Sequence, residues 1–150
     1  MDCFLQKNAK KGYRSFYQPG PFYNDSLGVQ RIKGGVALLV NKFVPHKFDC
    51  GFTSQNVQGI SAWINGSLLI NCYAPPGNDL VMAEALNHFW VEQNLDQKQW
   101  AVLGDFNALP EESMVATFLQ SKQGWGILLR VPAGQVTDAL TVAGAAIKIS

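Results

Sequence analysis

The sequence predicts an α+β fold, and three observations support that prediction. The nearly continuous apolar run at residues 34–40 is typical of a strand covered on both faces. Two β-rich segments, 57–64 and 67–73, flank the pair Asn65-Gly66, which is a strong hairpin signal. From Asp79 the apolar residues change to helical spacing. The order of strand, hairpin, helix, strand and helix indicates a sheet with helices on one outer face.

Glycine and proline residues set the expected limits of the first elements. Residues 1–33 are predicted to be rich in loops, because glycine and proline interrupt every periodic pattern there. Pro75-Pro76-Gly77 should end the second hairpin strand, and Asn78 or Asp79 should cap the helix that follows. The apolar face of this helix is Val81, Met82, Ala85, Leu86, Phe89 and Trp90.

A short buried strand is expected at residues 100–103, with Gly104 marking its end. A second helix should follow Pro110, because the fixed φ of proline suits a first helical turn and Glu111 and Glu112 favour the helix dipole. This helix should end at Gly124 or Gly126. Its expected inward residues are Met114, Val115, Phe118 and Leu119.

Size and composition indicate a single globular unit. The 150 residues suit one domain, and a formal net charge of +1 gives no general attraction to polyanions, so any nucleic-acid contact would be local. Cys3, Cys50 and Cys72 lack the spacing of a zinc site or a disulfide framework, so reduced thiols are expected. Because the sequence contains no signal peptide and no membrane span, we expect a soluble intracellular protein, either nuclear or cytoplasmic.

The most informative segment is Gly104-Asp105-Phe106-Asn107, which follows the strand at 100–103. In an extended chain, Asp105 and Asn107 would point the same way. A carboxylate suits a divalent cation or an attacking water, and an amide donates to phosphate oxygens without adding repulsive charge. The alternative is that both are turn residues, satisfied by their own backbone in Asx turns.

Three blocks, in this order and spacing, resemble the endonuclease/exonuclease/phosphatase superfamily, the group of deoxyribonuclease I and the abasic-site endonucleases. They are Gly34-Gly35-Val36-Ala37, Asn71-Cys72-Tyr73-Ala74-Pro75 and Gly104-Asp105-Phe106-Asn107. The resemblance covers about residues 30–120 and is strongest to endonuclease-like domains of retroelements. It implies an incomplete four-layer α/β/β/α sandwich, with residues 1–150 forming one partial domain in which 1–29 and 125–150 are divergent or truncated.

The resemblance also implies roles for individual residues. Asp105 would position or deprotonate the attacking water and bind the metal, Mg²⁺ or Mn²⁺. Asn107 would contact the scissile phosphate, and Tyr73 would donate to a phosphate oxygen. Asn71 is a minor candidate for substrate binding, because it could share a face with Tyr73. Both have a simpler interpretation, with Tyr73 as packing and Asn71 as a satisfied strand residue.

The chain departs from the family pattern at both ends. The family's metal-binding glutamate near the first strands would fall on Lys7, and an ammonium group cannot bind Mg²⁺. The terminal Asp-His pair has no recognisable counterpart, since His46 and His88 precede Asp105, and the segment around Asp138 is too short to identify that residue as a family ligand. We expect His88 to be a packed or surface histidine. The last residues, 140–150, look unrelated to the family.

These observations predict a metal-dependent phosphodiester hydrolase domain fragment, inactive or weakly active alone, whose substrate would be nucleic acid, with DNA favoured, or another phosphoester. A second hypothesis is a non-catalytic module that binds nucleic acid or phosphate. The candidate residues for this second hypothesis are Lys10, Lys11, Arg14, Arg31 and Lys33, with Tyr13, Phe16 and Tyr17. These residues could instead form a solvated basic loop whose aromatic side chains point inward.

The third hypothesis is a decayed retroelement product without function.

Overall fold

The computed structural model describes residues 11–109, 111–122, 127–129 and 146–148. These residues form a mixed α and β structure. In chain order the strands are β1 (Tyr13–Pro19), β2 (Phe22–Asn24), β3 (Gln30–Ile32), β4 (Gly35–Asn41), β5 (His46–Ser54), β6 (Val57–Ile64), β7 (Ser67–Tyr73), β8 (Trp100–Asp105), β9 (Ile127–Leu129) and β10 (Ala146–Lys148). Helices α1 (Asp79–Gln93) and α2 (Met114–Gln120) lie on either side of β8 in the sequence, with a short 3₁₀ turn at Leu95–Gln97.

The main sheet contains four strands in the order β5-β6-β7-β8. Its first three strands are antiparallel, and β8 pairs parallel to β7. The predicted hairpin is confirmed, with Asn65 and Gly66 in its turn at φ values of 49° and 85°. Two positive φ angles are what a two-residue turn of type I′ requires. Helix α1 then provides the crossover that a parallel strand needs.

The main sheet is covered on both faces, by helices on one and by the β1-β4 pair on the other. Strand β7 shows the alternation, since Leu68, Ile70 and Cys72 join a core with α1, α2 and β8, whereas Leu69 and Tyr73 pack against a smaller core. That smaller core contains Val36 and Leu38 of β4, together with residues of β6. The described residues therefore form three layers, helix, sheet and sheet.

Two predictions about the first part of the chain are wrong. Residues 13–19, 22–24 and 30–32 are strands, because the glycine and proline residues lie at the end of β1 or between the strands and do not interrupt them. Strand β4 is covered on one face only, since Val36, Leu38 and Val40 are buried while Leu39 is 37% exposed. Strand β1 pairs with β4 over its whole length. Its aromatic and polar residues suit the half-buried surface that this pairing creates.

Helix α1 begins at Asp79 as predicted, but neither candidate residue caps it with its side chain. Asn78 occupies the N-cap position, and its Nδ2 donates to the Pro76 carbonyl at 3.1 Å. Asp79 instead binds the start of α2. Its two carboxylate oxygens accept from Ser113 Oγ at 2.7 Å and from the Met114 N–H at 2.5 Å. One carboxylate therefore joins the two helices.

Helix α2 is shorter than predicted. It begins at Met114, three residues after Glu111, because Ser113 is its N-cap and accepts from the Ala116 N–H at 3.2 Å. It ends at Gln120, before the predicted Gly124 or Gly126, which lie outside the described residues, as does Pro110. Of the residues expected to face inward, Val115 and Leu119 are buried, but Met114 is 47% exposed. None of the described helices is long and apolar enough to span a bilayer.

Candidate functional site

Tyr73 and Asp105 lie side by side at the ends of two parallel strands. They are register partners in the β7-β8 pair, so their side chains leave the same face of the sheet. The backbone continues this pairing beyond the strands, since the Ala74 N–H donates to the Asp105 carbonyl at 2.9 Å. Tyr73 is half-buried, whereas Asp105 is exposed. The sheet thus brings a phenol and a carboxylate to one edge, at the carboxyl ends of its strands.

Asp105 and Asn107 form a turn. The strand continues through Asp105, beyond the predicted end at Gly104. The Asn107 N–H donates to Asp105 Oδ1 at 3.2 Å, and Asn107 has a φ of 46°. The expectation of an extended segment with both side chains pointing the same way is therefore wrong, and the Asx-turn alternative describes the local geometry.

The Asn107 side chain links the loops that follow β7 and β8. Its Nδ2 donates to the carbonyl of Ala74 at 2.9 Å, and Ala74 is fully buried. A carboxamide nitrogen carries two N–H donors, so this bond uses one of them. Asn107 is exposed overall. The bond ties the loop after Asp105 to the residue after Tyr73, at the carboxyl end of the pair.

Gly104 permits the close approach of these strands. A Cβ at this position would lie 2.3 Å from the Cys72 carbonyl oxygen and 3.1 Å from the Phe106 ring. Cys72 and Gly104 are register partners, so the close contact is between the backbones of β7 and β8. Any side chain at position 104 would push Tyr73 and Asp105 apart.

Asn71 lies two residues before Tyr73 on the same face of β7. Its Nδ2 donates to the carbonyl of Ala37 at 3.0 Å and so joins the main sheet to the β1-β4 pair. This contact positions the two sheets. Substrate binding by Asn71 stays a prediction.

Gln58 is a further site residue that the sequence reasoning missed. It is the register partner of Tyr73 in the β6-β7 hairpin, so Gln58, Tyr73 and Asp105 form a row across three neighbouring strands. Gln58 is 1% exposed, and its Nε2 donates to the Asn56 carbonyl at 2.6 Å. The sequence does contain a signal for this pairing, the Asn65-Gly66 turn. Counting the same number of residues back from Asn65 and forward from Gly66 pairs Gln58 with Tyr73.

A cleft of about 320 Å³ opens beside Tyr73. Its walls come from the end of the β2-β3 hairpin, the start of β4, the β5-β6 turn and the segment after β7. A second groove, of about 390 Å³, lies between the β5-β6 turn and α1 and is lined by Glu84, His88 and Glu92 among others. The first cleft is the one that adjoins the predicted site. Its lining residues are Pro21, Lys33, Gly34, Gly35, Asn56, Gln58, Tyr73, Pro75 and Pro76.

The predicted metal ion lacks a complete set of ligands in the described part of the chain. No group of three or more histidine, cysteine, aspartate or glutamate side chains comes together there. His88 lies on the surface, which is one of the two placements expected for it, and its Nε2 is 3.1 Å from Glu92 Oε1. His46 Nδ1 lies 2.6 Å from the Val44 carbonyl oxygen. Lys7 and Asp138 lie outside the described residues.

The cysteines in the described residues are free. Cys72 is buried and Cys50 is half-buried. Burial raises the pKa of both thiols, and for Cys50 this effect outweighs a hydrogen bond with Ser61. Both thiols are therefore poor nucleophiles at neutral pH.

The basic residues of the first strands are exposed, and of their aromatic neighbours Phe16 and Tyr17 turn inward whereas Tyr13 is exposed. Phe16 stacks on Phe48 with ring centroids 5.3 Å apart, and Tyr17 donates to the Gly34 carbonyl at 3.0 Å. The Arg31 guanidinium lies 2.8 Å from Asp25 and lowers the pKa of that carboxyl group. Of the other cations in the hypothetical binding segment, Lys11, Arg14 and Lys33 are exposed, and Lys10 lies outside the described residues.

Comparisons with known proteins show a similarity in fold. No protein-family model matches the chain, and no curated protein sequence matches it. The structure is similar to that of the human Nocturnin catalytic domain with bound sulfate anion, with a TM-score of 0.57 and 18% sequence identity. The match covers 82% of this chain and 52% of that domain, so the chain spans about half of it. Nocturnin is a member of the endonuclease/exonuclease/phosphatase superfamily, so the resemblance seen in the sequence is confirmed as a shared, partial fold.

Proposed function

We propose that this chain is part of a metal-dependent phosphodiester hydrolase domain of the endonuclease type, with Asp105, Asn107 and Tyr73 around the scissile phosphate. The single observation that supports this most is the pairing of Tyr73 with Asp105 at the carboxyl ends of β7 and β8. Ligands of open α/β sheets bind outside the carboxyl ends of the strands. The similarity to half of the Nocturnin domain supports the same placement.

Each of the three side chains has a role suited to phosphoryl chemistry. The exposed Asp105 carboxylate orients an attacking water or accepts its proton. The Tyr73 phenol and the second N–H of Asn107 donate to phosphate oxygens, where negative charge grows in the transition state. Sulfate has the tetrahedral shape of phosphate, so the sulfate bound by the Nocturnin domain supports oxyanion binding by this fold.

The residues described do not fit a metal centre by themselves. Members of the superfamily use divalent metals, but fewer than three metal-ligating side chains come together anywhere in the described residues. Mg²⁺ is usually held by one or two protein carboxylates together with waters and substrate phosphates, and Asp105 supplies one carboxylate at most. We therefore expect the chain alone to bind phosphate groups and to hydrolyse them weakly or not at all.

A second candidate function is non-catalytic binding of nucleic acid or phosphate. The exposed cations Lys11, Arg14 and Lys33 and the incomplete metal set favour it. Only the resemblance of the sequence blocks supports DNA as the substrate and a retroelement origin. A decayed product without function would show neither phosphate binding nor cleavage.

Phosphate binding is the direct test of the proposed site. The ¹⁵N-labelled chain is titrated with inorganic phosphate without metal, and amide shifts are followed by NMR. We expect changes at Tyr73 and Asn107, weaker binding by Tyr73→Phe, and tighter binding by Asp105→Asn because a repulsive charge is removed. His88→Gln, on the surface of α1, is the matched control. If phosphate leaves both amides unchanged, the proposed site is wrong.

Hydrolysis is tested separately with nicked plasmid and an abasic oligonucleotide over a titration of Mg²⁺ and Mn²⁺. We expect no cleavage above that of the Asp105→Asn protein purified in parallel. Metal-dependent cleavage that Asp105→Asn abolishes would show that the chain does assemble a working metal site.

A further inference from the structure

The cleft beside Tyr73 has the volume of a small-ligand site, about 320 Å³. We propose that it binds a nucleobase and that Gln58 recognises that base through Oε1. This inference rests on the proposed function in one respect, since it places the phosphate of the same nucleotide next to Tyr73 and Asp105.

The first observation is a buried hydrogen-bond acceptor without a donor. Gln58 is 1% exposed, and its Oε1 accepts no hydrogen bond from the described part of the chain. The amide orientation is fixed, because Nε2 faces the Asn56 carbonyl at 2.6 Å and an oxygen there would be repelled. A buried acceptor of this kind is costly unless a partner satisfies it. Because Gln58 lines the cleft, a ligand N–H there is the partner that the proposal assigns to this acceptor.

The second observation is the position of Gln58 in the sheet. Gln58, Tyr73 and Asp105 are register partners on β6, β7 and β8. Neighbouring strands lie about 4.8 Å apart, so the row from Gln58 to Asp105 spans roughly 10 Å. A nucleotide has this length from the edge of its base to its phosphate. The row can therefore hold both ends of one nucleotide.

The cleft walls select among phosphoesters. Pro21, Pro75 and Pro76 supply flat apolar surfaces for a planar ring, and the exposed Lys33 supplies a cation at the rim. A choline group has no N–H or O–H to offer Gln58. An inositol ring carries hydroxyls on every side, which proline walls would leave unpaired. A base has apolar faces and N–H donors at its edge, which matches this arrangement.

The test is a binding titration of the full chain without metal. The probes are the four ribonucleoside 5′-monophosphates, with ribose 5-phosphate as the base-free control. We expect at least one nucleotide to bind about tenfold more tightly than ribose 5-phosphate, which is the effect of one well-made hydrogen bond and ring contact. Gln58→Met keeps the length of the side chain and removes the acceptor, so it should abolish this preference and leave binding of ribose 5-phosphate unchanged.

Gln55→Met is the matched control, because Gln55 lies in the same turn region but lines the other groove. It should keep the preference. Equal binding of ribose 5-phosphate and every nucleotide would overturn the proposal, as would a preference that survives in a folded Gln58→Met protein. If Gln58→Met does not fold, the side-chain amide signals of Gln58 in the unaltered chain decide. A shift with nucleotide alone supports the proposal, and no shift overturns it.

The outcome is independent of hydrolysis. If the chain prefers a nucleotide but inorganic phosphate has no effect at Tyr73 and Asn107, the base-binding cleft is supported and the proposed phosphate site is overturned. If phosphate binds at Tyr73 and Asn107 but no nucleotide is preferred, the phosphate site is supported and the base-binding cleft is overturned. A single-stranded tetranucleotide that displaces the mononucleotide identifies a nucleic-acid strand as the source of the base, and one that fails to displace it identifies a free nucleotide.

Discussion

The bond from Asn107 to Ala74 should stabilise the loops around Tyr73 and Asp105, and substitutions at Asn107 measure its contribution. Two effects act at this position. The side chain donates to the Ala74 carbonyl at 2.9 Å, and the backbone has a φ of 46°, which Asn and Gly adopt more easily than other residues. Asn107→Gly removes the first effect only, whereas Asn107→Ala removes the bond and adds backbone strain.

The expected losses follow from these two terms. A net hydrogen bond contributes about 1 kcal/mol, so Asn107→Gly should lower the free energy of unfolding by about that amount. The left-handed conformation costs an alanine roughly 1 kcal/mol more, so Asn107→Ala should lose about 2 kcal/mol. Asn107→Asp tolerates the backbone conformation but sets a carboxylate against the Ala74 carbonyl, so it should lose more than Asn107→Gly.

Urea unfolding followed by tryptophan fluorescence measures these losses, because Trp90 and Trp100 are buried. Asn65 is the control, since its φ is 49° and its side chain has no hydrogen-bond partner in the described residues. Asn65→Gly should be nearly neutral, and Asn65→Ala should show the backbone term alone. Equal stability of Asn107→Gly and the unaltered chain would refute a stabilising bond to Ala74.

Two further predictions concern the helices and the buried thiol. Asp79→Ala should lower the free energy of unfolding by about 2 kcal/mol, because it removes the acceptor of Ser113 Oγ and of the first amide of α2; Glu84→Ala, at an exposed position of α1, should be nearly neutral in the same urea assay. Burial raises the pKa of the Cys72 thiol above its unfolded value of 9.0. The contribution of this protonated thiol to the free energy of unfolding is therefore complete below pH 9.0 and is lost as the pH rises above it. Stability should fall by about 1.4 kcal/mol per pH unit above about pH 9, and a pH-independent difference between Cys72→Ala and the unaltered chain would contradict this.

The elements that the sequence predicted correctly are those specified by residues close together in the chain. The β6-β7 hairpin follows from one turn and two alternating strands, and α1 begins where the proline and glycine segment ends. Strands β1 and β5 were missed because their pattern is weak. No residue of β5 is fully buried, and only His46, Asp49, Cys50 and Phe52 are half-buried. Such strands are stabilised by pairing with distant segments, which a local pattern does not contain.

The candidate site divides in the same way. Asp105 could be named from the apolar strand that precedes it, and Tyr73 from the resemblance of its segment to the family. Their adjacency depends on the parallel register of β7 and β8, which α1 and the close contact at Gly104 determine. Gln58 was missed for a different reason. A glutamine inside a strand is usually solvent-facing, whereas Gln58 is 1% exposed in the folded chain, which no local pattern indicates.

The turn at Asp105 and Asn107 shows why the two interpretations of this segment are compatible. The Asx bond uses Asp105 Oδ1 as an acceptor from the Asn107 N–H, and a carboxylate has further lone pairs on both oxygens. The same turn directs the Asn107 side chain to Ala74, which closes the second loop against the first. Strand pairing places the Asp105 carboxylate beside the Tyr73 phenol. The turn adds a side-chain bond between the two loops that follow these residues, so the local hydrogen bonding of the turn and the geometry of the site are compatible.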